Sequence, residues 1–348
     1  MEKIDIYIYI YIWIGLGLNL GVLFLYKYLN FATERIYGIL EWCGLRMEVP
    51  HFDLLLPVGI SFYTFQALGY MIDVYRKSIP VERSLWKYAL FVSFFPQLIA
   101  GPIVNHDEML PQFADPDNKR PKAANIYLGA RAFIYGLAKK VLIADVIGLA
   151  VNWGYNYAEH LDALNTVLIL VMYVLQLYFD FSGYCDMARG LGYFFNIKIA
   201  LNFNSPFKSK NPVELWKRWH ITLGRFFTRY LYIPLGGSKK GTARSLMNLF
   251  IIFVVSGIWH GAGWNFLLWG VYFGVFLVLE KFLWLDFLKK HKIFSHIYTL
   301  VIVWIGWALF AFDDMGRVIQ YLKAMFGLSG AGFANRETLY LLLSYAVM

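Results

Sequence analysis

Seven histidines occur in this 348-residue chain, and one of them, His260 in Trp259-His260-Gly261, lies inside an otherwise apolar stretch. Counted from Ser245, where the last aqueous residues end, a helix would lift His260 by about 22 Å. That is well inside a hydrocarbon core about 30 Å thick. An ionisable group there is costly and marks a functional site by default. A histidine held neutral at that depth is a usable general base, suited to deprotonating a hydroxyl that attacks an ester or thioester carbonyl. Its neighbours Ser256, Gly257, Gly261, Ala262 and Gly263 are small or turn-forming. They leave room for a substrate or for close helix contact, and Ser256, one turn earlier, is placed to orient the ring. The same histidine could instead knit the bundle by bonding a backbone carbonyl. Local sequence leaves both readings open.

His220, in Trp216-Lys217-Arg218-Trp219-His220, is the second candidate, and it could equally be a partly solvated interfacial residue. His51 and His106 fall in loop-like stretches, while His160, His291 and His296 read as surface residues near helix ends. Asp180 and Asp186 are six residues apart around Gly183, which is expected to break the helix between them, so a paired-carboxylate mechanism is weak. Capping, or ion pairing to Arg189 or the basic segment, is the better expectation for them. Cys43 and Cys185 have neither disulfide nor metal spacing, and Cys185 reads as a small apolar filler. No metal site is expected, and the absence of GxGxxG, Walker and HExxH patterns leaves nucleotide hydrolysis and zinc proteolysis without support.

The elements that must position these residues belong in a bilayer. The chain is 59% hydrophobic, 19% aromatic and only 16% charged, whereas soluble domains carry about 25% charged residues. Apolar runs cover roughly 4–26, 53–73, 85–104, 126–152, 162–182, 246–262, 264–284 and 296–312. Residues 31–48 read as a surface helix or loop, and no cleavable signal peptide is expected at the N-terminus. Several runs are interrupted: by Pro57 and Gly59, by Pro96 and Gly101-Pro102, and by Arg131, Lys139, Lys140 and Asp145. Broken or charged helices survive in lipid only where protein or a watery cavity satisfies them. The fold class is therefore an all-α integral membrane protein, a multi-pass bundle with broken or re-entrant helices around a central tunnel. It reads as a single domain over 1–348.

The formal charge is +9, and residues 201–245 alone carry nine bases against Glu214. Lys/Arg-rich loops stay in the cytoplasm. This stretch is either a topology marker touching anionic lipid, or a vestibule that attracts an anionic ligand. Its aromatics recur at helical spacing, so Trp216, Trp219, Leu223 and Phe227 should share one face of an amphipathic helix. Gly236-Gly237-Ser238 then turns the chain. From Leu339 to Met348 a last apolar run covers only about half a crossing.

On these residues the sequence resembles the membrane-bound O-acyltransferase family, in its bacterial alginate O-acetyltransferase and teichoic acid D-alanyl transfer branch. The matching stretches are FSGYCDMA (181–188), LNFNSPF (201–207), NPVELWKRWHITL (211–223), YLYIPLGG (230–237) and SGIWHGAGWN (256–265). PVGISFYTF (57–65), DVYR (73–76), Pro96 and Gly101-Pro102 precede them in order. The resemblance covers about residues 50–285. It implies that His260 is the membrane-embedded catalytic histidine and His220 its second characteristic histidine. It also implies a tunnel from cytoplasm to the outer side of a bacterial inner membrane and acetyl-coenzyme A as donor substrate, with no tightly bound cofactor. Lys217, Arg218, Arg225 and Trp216 would line the acyl-coenzyme A vestibule. The acetyl group would pass to an exported, alginate-like polysaccharide through a periplasmic or membrane-anchored acetyltransferase partner, with lipid and no nucleic acid as further contacts. D-alanyl transfer, peptidoglycan acetylation, and an acyl or polymer transporter or scaffold without bond making are the alternatives. Two departures from the family pattern stand out: Thr228-Arg229 in place of Arg-Asp, and Cys185 in place of Ser. Both are expected to lie away from the histidines. Against the family, the chain reads as short at both ends.

Overall fold

A backbone in lipid must close its hydrogen bonds internally, and this chain does so with helices throughout. The computed structural model describes residues 2–157 and 160–345, and every regular element among them is helical. Five helices are long and apolar enough to cross a membrane: Tyr9–Trp42, Ala163–Phe194, Thr242–His260, Trp264–Lys290 and Lys292–Phe310. The first belongs to α1 (Glu2–Trp42), 41 residues long. The helix runs unbroken through much of the 31–48 region expected to be a separate surface element, because no Pro or Gly pair interrupts it before Gly44.

The interrupted runs are not simple spans. Gly59, in the left-handed region at φ 76°, starts α2 (Ile60–Tyr75), which has only 16 residues. A Cβ at Gly59 would stand 2.2 Å from the Leu98 carbonyl oxygen, so only glycine fits. The 85–104 run splits into α3 (Leu85–Ser93) and the four-residue α4 (Phe95–Leu98), then continues non-helically through Gly101-Pro102. Next come α5 (His106–Ala114) and α6 (Ala123–Ala138), a π-helical turn over Lys139–Ala144, and α7 (Asp145–Asn156).

α8 (Ala163–Phe194) is the central strut, 32 residues without a break. Gly183 does not interrupt it, contrary to expectation. Glycine there serves contact with α6, since a Cβ at Gly183 would lie 2.8 Å from the Gly136 carbonyl oxygen, and one at Gly190 2.7 Å from that of Gly129. Hydrocarbon gives helices no hydrophobic reason to associate, so small residues that allow close van der Waals packing hold the pair together. Charges on α8 and on the turn that follows α6 neutralise one another: Lys139 meets Asp186 at 2.6 Å, and Lys140 meets Asp180 at 2.7 Å and Asp145, the first residue of α7, at 2.6 Å. Arg189 adds a 3.6 Å contact to Asp186, in line with the ion pairing expected of it.

After α8 the chain makes two short helices, α9 (Pro212–Trp216) and α10 (Ile221–Phe227). Gly236 and Gly237, both at positive φ, supply the expected turn into α11 (Thr242–His260) and α12 (Trp264–Leu279). These last two form a tight hairpin: a Cβ at Gly257 would reach to 2.4 Å of the Phe266 oxygen, and one at Gly270 to 2.4 Å of the Phe253 oxygen. The chain closes with α13 (Leu285–Lys290), α14 (Lys292–Phe310), α15 (Met315–Met325) and α16 (Arg336–Tyr345). α16 is the half-length terminal helix expected of the last apolar run, whose residues 346–348 lie outside those described.

Candidate active site

His260 is the last residue of α11, and Gly261 and Gly263 carry the chain across to α12. Its ring rests among Trp259, Trp269 and Phe310, with centroids 4.8, 5.1 and 5.2 Å away, all close to edge-on. No hydrogen bond joins it to Ser256 among the described residues, although both line one cavity. Ser256 therefore does not orient the ring as the spacing suggested; aromatic packing does. The C-terminal end of α11 is instead gripped by α1. Lys27 donates through Nζ to the Trp259 carbonyl and to Ser61 Oγ at 3.4 Å, and Tyr28 donates to the Ile258 carbonyl at 2.7 Å. A cation at a helix C-terminus complements the negative end of its dipole. Nothing in the sequence marks Lys27, because its helix lies far along the chain from the motif stretches.

His220 sits where the expected long amphipathic helix breaks. Its backbone adopts the left-handed conformation, φ 46° and ψ 51°, and it caps α10. Such a conformation is uncommon outside glycine and gathers at functional sites. Trp216, Trp219, Leu223 and Phe227 do share a side, but that side faces an internal cavity and not lipid. His220 is buried, with Phe181 edge-on at 4.9 Å and Phe62 stacked at 6.5 Å. Burial pushes its imidazole down to about 3, so it is neutral at working pH. His106, expected in a loop, is also buried, against Tyr70 and Phe91 at the start of α5.

Two cavities meet at the histidines. One, of 280 Å³, reaches from His220 and His260 past Trp216 and Phe227 to Lys217 and Lys281. The other, of 570 Å³, leads away past Lys27, Ser61, Phe181 and Asp180. Trp219, His220, His260 and Trp307 line both. A third space of 590 Å³ adjoins the first through Trp216, Lys217, Gly224 and Thr228, and opens between Arg225, Arg229 and Glu108.

The four vestibule candidates have different fates. Lys217 lines both the mouth and the inner cavity and makes no ion pair among the described residues. Arg225 lines the mouth and pairs with Glu108 at 2.9 Å. Arg218 is tied to Glu214 at 2.8 Å and to the Asn204 carbonyl, and lines none of these cavities. Trp216 forms a wall between the two spaces. Thr228-Arg229 keeps local pairing by another route: Arg229 bridges buried Asp73 at 2.7 Å and Asp107 at 3.3 Å. Cys185, expected to lie away from the histidines, instead accepts from Asn202 at 3.3 Å, and Asn202 in turn bonds His220.

An all-helical, multi-pass membrane protein with two histidines that line the same two internal cavities is the class this arrangement defines. The chain belongs to the membrane-bound O-acyltransferase family, whose model matches residues 76–312. It is 40% identical over 316 residues to the peptidoglycan O-acetyltransferase of Helicobacter pylori, covering 82% of this chain and 60% of that protein. It is 36% identical over 339 residues to the probable alginate O-acetylase AlgI of Azotobacter vinelandii, covering 93% and 66% respectively. The teichoic acid D-alanyltransferase of Bacillus subtilis is 27% identical over 292 residues, with 78% and 73% covered. The chain thus spans less than two thirds of the length of the first two relatives.

Proposed function

We propose that this protein is an O-acetyltransferase of a bacterial inner membrane, which takes acetyl groups from cytoplasmic acetyl-coenzyme A and delivers them outward for O-acetylation of an exported polysaccharide. The observation that carries this reading is the junction: His220 and His260 line both the cavity that leads back to the basic mouth and the cavity that leads away. Lys217, Arg225 and Arg229 at the mouth suit the phosphates of coenzyme A. The narrow, largely apolar inner cavity suits its uncharged acyl-bearing arm. At the junction the acceptor hydroxyl attacks the thioester carbonyl. His260 takes the hydroxyl proton, the C–S bond breaks, and the proton passes to the departing thiolate. In this reading a partner transferase completes the modification on the far side.

The H. pylori relative favours peptidoglycan as a second acceptor, with the same donor chemistry. Purified protein in lipid, given acetyl-coenzyme A and a soluble acceptor alcohol, tests the reaction class: it should release free thiol above background. A transporter or scaffold that makes no bond would release none, and that result overturns the enzyme reading. Acetyl counts on alginate-like polymer and on peptidoglycan from the producing strain, with and without this protein, separate the two acceptors.

A further inference from the structure

Asn202 has no accessible surface, and its side chain lies at the centre of a network that ends on His220. The identity of its oxygen follows from donors that cannot reverse. The Thr222 backbone N–H points to Oδ1 at 3.2 Å, and an N–H can only donate. The Thr222 hydroxyl already accepts from the Ile103 backbone N–H at 2.9 Å, so its own hydrogen goes to the same Oδ1 at 3.0 Å. The Asn202 Nδ2 faces the Cys185 sulfur at 3.3 Å, a weak acceptor that suits an N–H donor. The atom 3.2 Å from His220 Nδ1 is therefore an acceptor, and Nδ1 must carry the proton.

We propose that Asn202 is a positioning residue that locks His220 as the Nδ1–H tautomer, leaving a lone pair on Nε2. His220 consequently meets the ligand as a hydrogen-bond acceptor for an O–H or N–H group and cannot donate to a developing oxyanion. The left-handed backbone at residue 220 belongs to the same device, because it brings the ring back over the 202 loop while Ile221 N–H bonds the Asn202 carbonyl at 3.0 Å. Four separate parts of the chain supply the network: Ile103 after the broken α4 region, Cys185 on α8, Asn202 in the following loop, and Thr222 on α10. Among the described residues His260 has no such hydrogen-bond partner. The two histidines are thus not interchangeable: one has a fixed proton, the other a ring free to take or give one.

The tautomer claim stands on geometry alone, and its kinetic consequence rests on the acyl-transfer reading above. Nitrogen-15 NMR of histidine-labelled protein, with His220→Gln to assign the signal, should show Nδ1 protonated and Nε2 bare. Neutral imidazole in water prefers the opposite form, and Asn202→Leu should restore that preference. A wild-type His220 signal of the Nε2–H form overturns the proposal, and this holds even if Asn202→Leu fails to fold. In the thiol-release assay Thr222→Val should lower kcat by about 10-fold or more, the scale on which orienting partners of a functional histidine act. The KM for acetyl-coenzyme A should stay within about two-fold, and Thr222→Ser should recover most of the rate. Equal kcat for the valine and serine variants also overturns the proposal. Wild-type protein that releases no thiol sinks the acyl-transfer reading alone, and the spectrum still decides the tautomer.

Discussion

The surroundings of His220 and His260 differ as a wired socket differs from a bearing. His220 is fixed by one polar bond to Asn202, whose amide is itself held by bonds from other segments, on a backbone in an uncommon conformation. His260 is fixed by Trp259, Trp269 and Phe310, by the tight α11–α12 hairpin, and by the grip of Lys27 and Tyr28 on the end of its helix. Polar wiring fixes a proton, whereas aromatic packing fixes a place and leaves the nitrogens to the ligand. A reaction that moves a proton from an attacking hydroxyl to a departing thiolate needs both kinds of support.

The largest expected effect separates the two histidines. His260→Ala should cut thiol release from acetyl-coenzyme A by about 100- to 10,000-fold, the range for losing a general base. Normal protein levels must be checked, and an unchanged rate removes His260 from the chemistry. Gly257→Ala probes the packing side of the comparison. Its Cβ would crowd the Phe266 carbonyl, so thermal unfolding should reveal a loss of about 1–3 kcal/mol. The nitrogen-15 signal of His220 should not move in that variant, since its network shares no bond with the hairpin; a shifted signal would show that the two supports are one.

A smaller effect should come from the mouth. Lys217→Ala should raise the KM for acetyl-coenzyme A about three- to five-fold with kcat unchanged, and the difference should shrink at high salt as screening grows. A fall in kcat instead would place Lys217 at the reaction and not at entry. The smallest effect concerns α1. Lys27→Met should cost about 0.3–1 kcal/mol of stability, the value of a cation at a helix C-terminus. If thermal denaturation of the methionine variant matches wild type, the grip of α1 on the His260 helix is energetically idle.

His260 and His220 were legible because each stands out against its background: one a polar residue in an apolar run, the other beside two bases among aromatics. The span pattern was legible where apolar runs were unbroken, as at α8, α11 and α12. It failed at 85–104, where length and hydropathy suggested a crossing but Pro96 and Gly101-Pro102 made short pieces and an extended segment. It failed at Gly183 for the opposite reason, because a glycine that could end a helix was needed to admit α6. Asn202 carried no signal beyond its place in LNFNSPF: an asparagine in a loop is ordinary until its neighbours are known. Lys27 was silent for the same reason, its partner carbonyl being 232 residues away.

Composition and periodicity by themselves determined that this chain lives in a membrane, that it is helical, and that a histidine lies where charge is costly. Those properties depend on transfer from water to hydrocarbon and on local hydrogen bonding, which are written residue by residue. Only the tertiary structure decided that two histidines share a junction, that one is wired and the other packed, and that Arg218, Arg225 and Arg229 are ion-paired while Lys217, among the described residues, is not. These depend on contacts between segments far apart in the chain, and on the direction of each donor hydrogen, which spacing along the sequence does not encode.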